Sequence, residues 1–218
     1  MAKSGPTSTL RSSGTEGAAA TRLALVDAAV ETLKADGFAG ASARAIAGRA
    51  GCNQGLVFYH FGSVANLLLA ALDAVSAERL ERYRATVEAA ATPAALVDAA
   101  AAIFREDLEA GYVTVLVEMI AGAAATPGLG EEVAARIEPW KRFARDALDA
   151  ALAGSPLATM VPTDDVAHAV VALYLGLEML SHLDGDRAPA LALFDQARQV
   201  ATLLQALGTL PPSGPVPS

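Results

Sequence analysis

The sequence predicts an all-α protein in which a small N-terminal helical domain precedes a longer helical bundle. Hydrophobic residues, mostly alanine and leucine with some valine, make up 53% of the 218 residues, and aromatic residues only 5%. This composition favours helices over strands. Apolar residues recur at spacings of three and four along most of the chain. No long stretch alternates between apolar and polar residues, so we assign no strands.

The predicted domain boundaries follow from where the helical pattern starts and stops. Residues 1–20 are small and polar, without a helical period, and are expected to be disordered. Order is expected to begin at Thr21, an N-cap residue, and the first helix to end at Gly37. The predicted segments are a disordered arm at 1–20, a helix-turn-helix domain at 21–66, a helical bundle at 67–208 and a disordered tail at 209–218.

Two short helices joined by a tight turn are predicted next. Ser42 is an N-cap for the first of them, and Gly51 breaks it, because a turn with positive φ is easiest for a residue without Cβ. The second short helix covers about 54–60. Small or apolar residues stand where two crossing helices must approach, a pattern typical of a helix-turn-helix: Ile46, Ala47, Ala50, Cys52 and Val57.

The rest of the chain is predicted to form long helices. Ser63 caps a helix that is apolar at its start and charged near its end at 88, as a helix linking two domains would be. Pro139 lies inside one predicted helix and is expected to adjust it. The bundle helices are predicted at 93–110, 112–125, 130–153, 163–183 and 189–207.

Charge and cysteine content limit the class of protein. The net charge of −8 argues against bulk coating of nucleic acid. Residues 1–64 nevertheless carry six Lys or Arg against four Asp or Glu, which is consistent with a local DNA contact.

The single Cys52 indicates a reducing compartment. The first twenty residues do not read as a signal peptide, and the longest apolar run, near 113–125, is too short for a bilayer. We therefore expect a soluble, cytoplasmic protein without a membrane partner.

The segment from Ala41 to Phe61 resembles the DNA-binding domain of TetR-family repressors, and the resemblance covers about residues 21–70. Two positions depart from the family pattern: Val64 replaces its usual lysine, and Phe58 replaces its usual first tyrosine. Both changes remove a group that contacts phosphate, so they bear on affinity more than on fold. The matching positions are Ser42, Arg44, Ile46, Ala47, Ala50, Gly51, Gly55, Tyr59, His60, Phe61, Ser63 and Leu67.

The resemblance implies a recognition helix whose N-terminal end enters the major groove. Asn and Gln side chains can pair bidentately with adenine, and a helix N-terminus can hold phosphate. Alternatives remain open: Asn53 is otherwise only a cap, and His60 a packing residue, while Phe58, Phe61 and Cys52 are interpreted as core. The predicted DNA-binding residues are Ser42, Arg44, Asn53, Gln54, Gly55, Tyr59 and His60.

The resemblance also implies a C-terminal ligand-binding bundle that dimerises through its last two helices. The apolar helix at 163–183 must be covered on more than one side, and a second subunit would cover it. Glu178 and His182 are four residues apart, so the alternative is that they pair with each other or with that subunit and bind nothing. The ligand-binding candidates are Phe104, Glu118, Met119, Trp140, Phe143, Tyr174 and Glu178.

Motifs for metal or cofactor chemistry are not recognised in the sequence. His60, His168 and His182 do not have metal-ligand spacing. We find no phosphate-binding glycine loop and no nucleophile elbow. The sequence therefore predicts no cofactor, no metal and no enzymatic activity. Together with the resemblance, it indicates a homodimeric repressor of a palindromic operator that is released by a small, mostly apolar ligand. A DNA-binding protein without a ligand, and a helical carrier or enzyme, are the alternatives.

Overall fold

The computed structural model describes residues 9–208, with side chains from 16 to 206, and is all-α over that part of the chain. It confirms the predicted fold class. The helices are α1 (Thr9–Gly40), α2 (Ala43–Arg49), α3 (Gly55–Phe61), α4 (Val64–Glu88), α5 (Pro93–Ala110), α6 (Tyr112–Ala123), α7 (Leu129–Ala135), α8 (Glu138–Leu152), α9 (Thr163–Asp184) and α10 (Ala188–Gly208), with a 3₁₀ turn at Pro156–Thr159.

Helix α1 starts earlier than the sequence suggested. It begins at Thr9 instead of Thr21, so residues 9–20, predicted to be disordered, are helical. The hydroxyl of Thr21 donates to the carbonyl of Gly17 at 2.9 Å, four residues back, as a residue inside a helix does. The run Ala18–Ala20 favours this continuation. Residues 1–8, and the predicted disordered tail at 209–218, lie outside the described residues.

The capping signals around the two short helices have the predicted roles. The Oγ of Ser42 accepts from the N–H of Ala45 at 3.2 Å, and the Oγ of Ser63 accepts from the N–H of Asn66 at 3.1 Å. Gly51 lies in the turn between α2 and α3 with φ of 68°. These local hydrogen bonds set where α2 and α4 start.

The prediction of a single helix at 130–153 is wrong, because the structure has two helices there, α7 and α8. Pro139 has no N–H to donate to Ala135, and its ring would clash with that carbonyl. Residue 138 before it is also restricted. Helix α7 accordingly ends at Ala135, and α8 starts at Glu138 with the proline in its first turn.

The described chain packs as two compact units. The head unit contains the chain up to Ser76 together with Thr114–Val133, and the body unit contains Ala77–Val113 and the chain from Ala134 onward. In the head unit, side chains from α6 and α7 join the core of the N-terminal helices. The head core therefore includes residues far apart in the chain, among them Leu25, Leu33, Ile46, Val57, Leu67, Leu68, Val115, Met119, Leu129 and Val133.

Helices α9 and α10 of the body unit leave large apolar side chains exposed. By length and composition α9 is apolar enough to cross a membrane, although little of it is buried. Such exposed apolar surface marks an interaction site. The exposed residues are Val170, Leu173, Met179, Leu180 and Leu183 on α9, and Leu193, Val200, Leu203 and Leu204 on α10.

Candidate DNA interface and candidate ligand site

Helix α3, the predicted recognition helix, presents a mostly exposed face. Tyr59 is 79% exposed, and Gln54 and Gly55 at the start of the helix are exposed as well. Ser42 and Arg44, at the start of α2, are also exposed. These side chains are free to meet a DNA groove and its phosphates.

Two predicted DNA-binding residues have contacts inside the head unit. The Oδ1 of Asn53 accepts from the N–H of Gly55 at 2.8 Å, so this side chain does serve the start of α3. The His60 ring is half-buried and packs edge-to-face on Tyr59, with ring centroids 4.9 Å apart. These contacts are compatible with the alternative structural roles, and the DNA contacts of both residues stay predictions.

Phe58 does not lie in the core, contrary to the interpretation from its sequence. It is 52% exposed, next to Tyr59 on α3. Phe61 is half-buried and lies under the guanidinium of Arg22, whose Cζ is 5.0 Å from the ring centroid. Cys52 is also half-buried. Phe58 is therefore an apolar addition to the exposed face, suited to contact a thymine methyl or a sugar.

The end of α1 is held by α6 within the head unit. At Gly37 the chain leaves the helical conformation, with φ of 69°, and the next N–H, from Phe38, donates to the Oε2 of Glu118 at 2.8 Å. A Cβ on Gly37 would lie 2.8 Å from that oxygen, and one on Gly122 would lie 2.3 Å from the Phe38 ring. We call this contact the elbow. This contact gives Glu118 a hydrogen-bond partner within the head unit. The role of Glu118 in ligand binding stays a prediction.

Replacing Gly37 with alanine should destabilise the head unit. The positive φ disfavours any Cβ, and the new methyl would push away the carboxylate that holds the Phe38 N–H. We expect a loss of about 2 kcal/mol in the free energy of unfolding. Thermal denaturation measures it, with Gly17→Ala as the control in the same helix, where a Cβ would have open space. Equal melting temperatures for the two variants would contradict the elbow.

The body unit contains a buried polar cluster that the sequence did not reveal. Asp107 of α5 is fully buried and accepts four hydrogen bonds. Its Oδ1 accepts from Nε of Arg79 at 2.9 Å and from the hydroxyl of Tyr83 at 2.6 Å. Its Oδ2 accepts from Nη2 of Arg79 and from the hydroxyl of Tyr174, the latter at 2.7 Å. Both oxygens of this carboxylate are therefore satisfied.

Glu178 is the second buried carboxyl group of this cluster. Its Oε1 has no hydrogen-bond partner among the described residues, and Nη2 of Arg79 is 3.8 Å away. Burial, reinforced by the charge of Asp107 and opposed by Arg79, raises the pKa of Glu178 to about 8. The pKa of Tyr174 is raised by burial and by the two carboxylates. His182 is exposed, so Glu178 takes its charged partner from α4 instead.

Aromatic rings surround this cluster. Phe104 contacts Tyr174 edge-to-face and also Phe194, with centroid distances of 5.6 and 5.3 Å. The Trp140 ring lies against the Arg79 guanidinium at 4.6 Å, and Phe143 packs on Trp140 at 6.3 Å. The structure thus brings five predicted ligand candidates to one region, whereas Glu118 and Met119 belong to the head unit. Sequence reasoning missed Arg79, Tyr83, Asp107 and Phe194.

The comparisons with known proteins agree with the geometry. The pattern of the family described as "Bacterial regulatory proteins, tetR family" matches residues 25–71. No curated protein matched. A TetR-family structure from Streptomyces coelicolor is 26% identical and covers 81% of this chain and 97% of its own, with a TM-score of 0.62. The multidrug binding protein EbrR, solved with proflavin, is 26% identical and covers 84% and 99%, with a TM-score of 0.58.

A third structure, a regulator from Mesorhizobium loti, is similar in fold alone. It is 14% identical and covers 86% of this chain and 97% of its own, with a TM-score of 0.69.

Two short helices joined by a glycine turn, with an exposed second helix, define a helix-turn-helix DNA-binding protein. The family model matches residues 25–71, and together with the structures that are 26% identical this match supports a TetR-family transcriptional regulator. Proteins of this family are transcription regulators and not, in general, enzymes.

Proposed function

We propose that this protein is a homodimeric cytoplasmic repressor that binds a palindromic operator and leaves it when a small, mostly apolar ligand binds. The observation that carries the proposal is the exposed face of α3 on a helix-turn-helix of the family type. DNA binding is assigned to residues 21–66, and ligand binding and dimerisation to 67–208. The proposed DNA contacts are Ser42, Arg44, Asn53, Gln54, Gly55, Tyr59 and His60, with Phe58 added.

Dimerisation is supported by the exposed apolar side chains of α9 and α10. A water-soluble monomer rarely leaves so many large apolar groups in contact with solvent. A second copy of the same two helices would cover them about a two-fold axis. On a palindromic operator the two recognition helices of such a dimer would need to lie about 34–36 Å apart, or slightly further.

Ligand binding is supported by the aromatic region of the body unit and by a relative. The multidrug binding protein EbrR has been solved in complex with proflavin. In this chain the corresponding candidates are the aromatic residues around the buried cluster, together with Glu178. Ligand pockets in proteins combine apolar walls with a few polar groups in this way. The proposed ligand contacts are Phe104, Trp140, Phe143, Tyr174 and Glu178.

Coupling between ligand and DNA is assigned to α4. Its first turns supply Leu67 and Leu72 to the head core, and its later turns supply Arg79 and Tyr83 to the buried cluster. A ligand that prefers one arrangement of this cluster can weaken operator binding by its differential affinity and no more. We expect a fall of roughly 5–150-fold in operator affinity. Stabilising ligands that leave operator affinity unchanged would contradict this coupling.

The test of the function is selection of binding sites from random DNA, followed by mobility-shift titration at low salt. A palindromic sequence should be enriched, and one dimer should bind each site. The same titration with a small-molecule library then searches for compounds that release the DNA. Failure to enrich any palindrome would overturn the proposed function.

Replacing Gln54 with alanine should relax the choice of base at one position of each half-site. An amide that pairs with a base edge contributes about 1–3 kcal/mol of discrimination. The selection should therefore show one degenerate base pair per half-site while the rest of the motif persists. The control is Leu23→Glu, because Leu23 is exposed on α1, outside the proposed contacts. An unchanged motif would mean that Gln54 reads no base.

A further inference from the structure

We propose that the ligand of the body unit is an organic cation: a protonated nitrogen that donates to Oε1 of Glu178, attached to an apolar frame that packs against Phe104, Tyr174 and Phe194. The inference rests on the proposed ligand-binding function and names the chemical class of its ligand. It follows from three features of the buried cluster, namely its charge balance, its hydrogen bonds and its aromatic surroundings.

The first feature is an unequal division of donors between two carboxyl groups. Asp107 accepts all four hydrogen bonds that Arg79, Tyr83 and Tyr174 donate to the cluster. Glu178 is 1% exposed, yet its Oε1 has no donor among the described residues. A buried acceptor without a donor is costly, and folded proteins rarely keep one. Oε1 of Glu178 is therefore a buried acceptor that lacks a hydrogen-bond donor among the described residues, although the Arg79 guanidinium lies 3.8 Å away.

The second feature is charge. The ion pairs of the cluster join one cation, Arg79, to two carboxyl groups, Asp107 and Glu178. With both carboxylates ionised the cluster has one negative charge in excess, which a low-dielectric site tolerates poorly. An added anion would increase that excess. A monocation would balance it and would supply the missing donor at the same time.

The third feature is the aromatic surroundings. Phe104 touches both Tyr174 and Phe194, so rings from three helices meet, and one of them, Tyr174, stands one turn before Glu178 on α9. Trp140 and Tyr174 are only half-buried, which places partly accessible rings over the cluster. Aromatic faces attract cations as well as apolar groups. A ligand that combines positive charge with an apolar frame matches both properties.

Binding should be linked to a proton. Burial raises the pKa of Glu178 to about 8, so the group keeps its proton to a higher pH than an exposed carboxyl group does. The groups joined to it are Arg79 of α4, Asp107 of α5 and Tyr174 of its own helix. When an ammonium ion binds, the carboxyl proton passes to solvent and the carboxylate accepts from the ligand N–H. One cation thus enters as one proton leaves, and affinity should rise with pH up to the pKa of Glu178.

The experiment compares three probes of one shape and different charge: naphthylmethylammonium, naphthylmethanol and naphthoate. Calorimetry on the full-length protein at neutral pH should show the ammonium binding roughly tenfold to a hundredfold more tightly than the alcohol. Naphthoate should bind most weakly. Repeating the titration in two buffers of different ionisation enthalpy should show release of up to one proton per ammonium bound.

Two variants separate charge recognition from folding. Glu178→Gln should bind the alcohol normally, lose the preference for the ammonium and release no proton. Glu106→Gln removes a carboxylate of the same helix as Asp107 from an exposed pair with Arg82, and should behave like the wild type. A preference for naphthoate, or an ammonium preference that survives in Glu178→Gln, would overturn the inference.

The operator titration distinguishes this inference from the proposed function. If the ammonium binds with proton release but leaves operator affinity unchanged, the ligand class stands and the proposed release mechanism fails. If operator binding is confirmed and none of the probes shows the charge preference, the ligand class fails and the repressor function stands.

Discussion

Glu in place of Leu203 is expected to convert the dimer into monomers and to weaken operator binding by at least about a hundredfold, because two linked half-site contacts become one. Leu203 is 64% exposed on α10, so the substitution spares the core of the monomer. At a dimer interface the same carboxylate would be buried without a partner. Light scattering reports the mass, and mobility shift reports the operator affinity.

The matched control for this experiment is Leu23→Glu. Leu23 is 61% exposed, nearly the same fraction, but it lies on α1 of the head unit. This variant should remain a dimer. Leu177 on α9 is half-buried, so a charge there should both break the dimer and reduce stability. If the Leu203→Glu protein stays dimeric at the lowest measurable concentration, the dimer interface does not include this part of α10.

Methionine in place of Arg79 is expected to cost about 3–5 kcal/mol of the free energy of unfolding. The substitution keeps the apolar stem but removes the cation of the buried cluster. Asp107 then keeps only its two tyrosine donors, and Glu178 loses the positive charge with which it is paired. The melting temperature should fall by roughly 6–20 °C for a protein of this size. Calorimetric or circular-dichroism melting measures it.

Arg82→Met is the matched control, one turn further along the same helix. Arg82 pairs with Glu78 and Glu106 at the surface, where water screens the charges. Its loss should leave the melting temperature almost unchanged. If Arg79→Met and Arg82→Met melt alike, the buried cluster does not stabilise the body unit.

The helix-turn-helix could be predicted from the sequence because its determinants are local. Ser42 and Ser63 each bond to an N–H three residues away, and Gly51 supplies the positive φ of the turn. The start of α1 was predicted less accurately, at Thr21 instead of Thr9. The same Thr21 hydroxyl can cap a new helix or bond back inside an existing one, and only the conformation of residues 9–20 decides between them.

The candidate ligand site was predictable only in part, because its polar groups meet from helices distant in the chain. Arg79 stands in a run of charged residues, which is the usual sign of a solvated face. Asp107 gave one overlooked signal: it lies three residues after Phe104, on the apolar side of α5. The pairing of Phe38 with Glu118, 80 residues apart, leaves no comparable mark in the sequence.

The elbow and the shared core of the head unit have a consequence for protein engineering. A DNA-binding fragment cut after α4 would lack Val115, Met119, Leu129 and Val133, and would leave Phe38 without the surface of Gly122. Such a fragment would lack part of its hydrophobic core and should not fold stably by itself. A chimera that exchanges operator specificity with another regulator should transplant residues 114–133 together with the N-terminal helices.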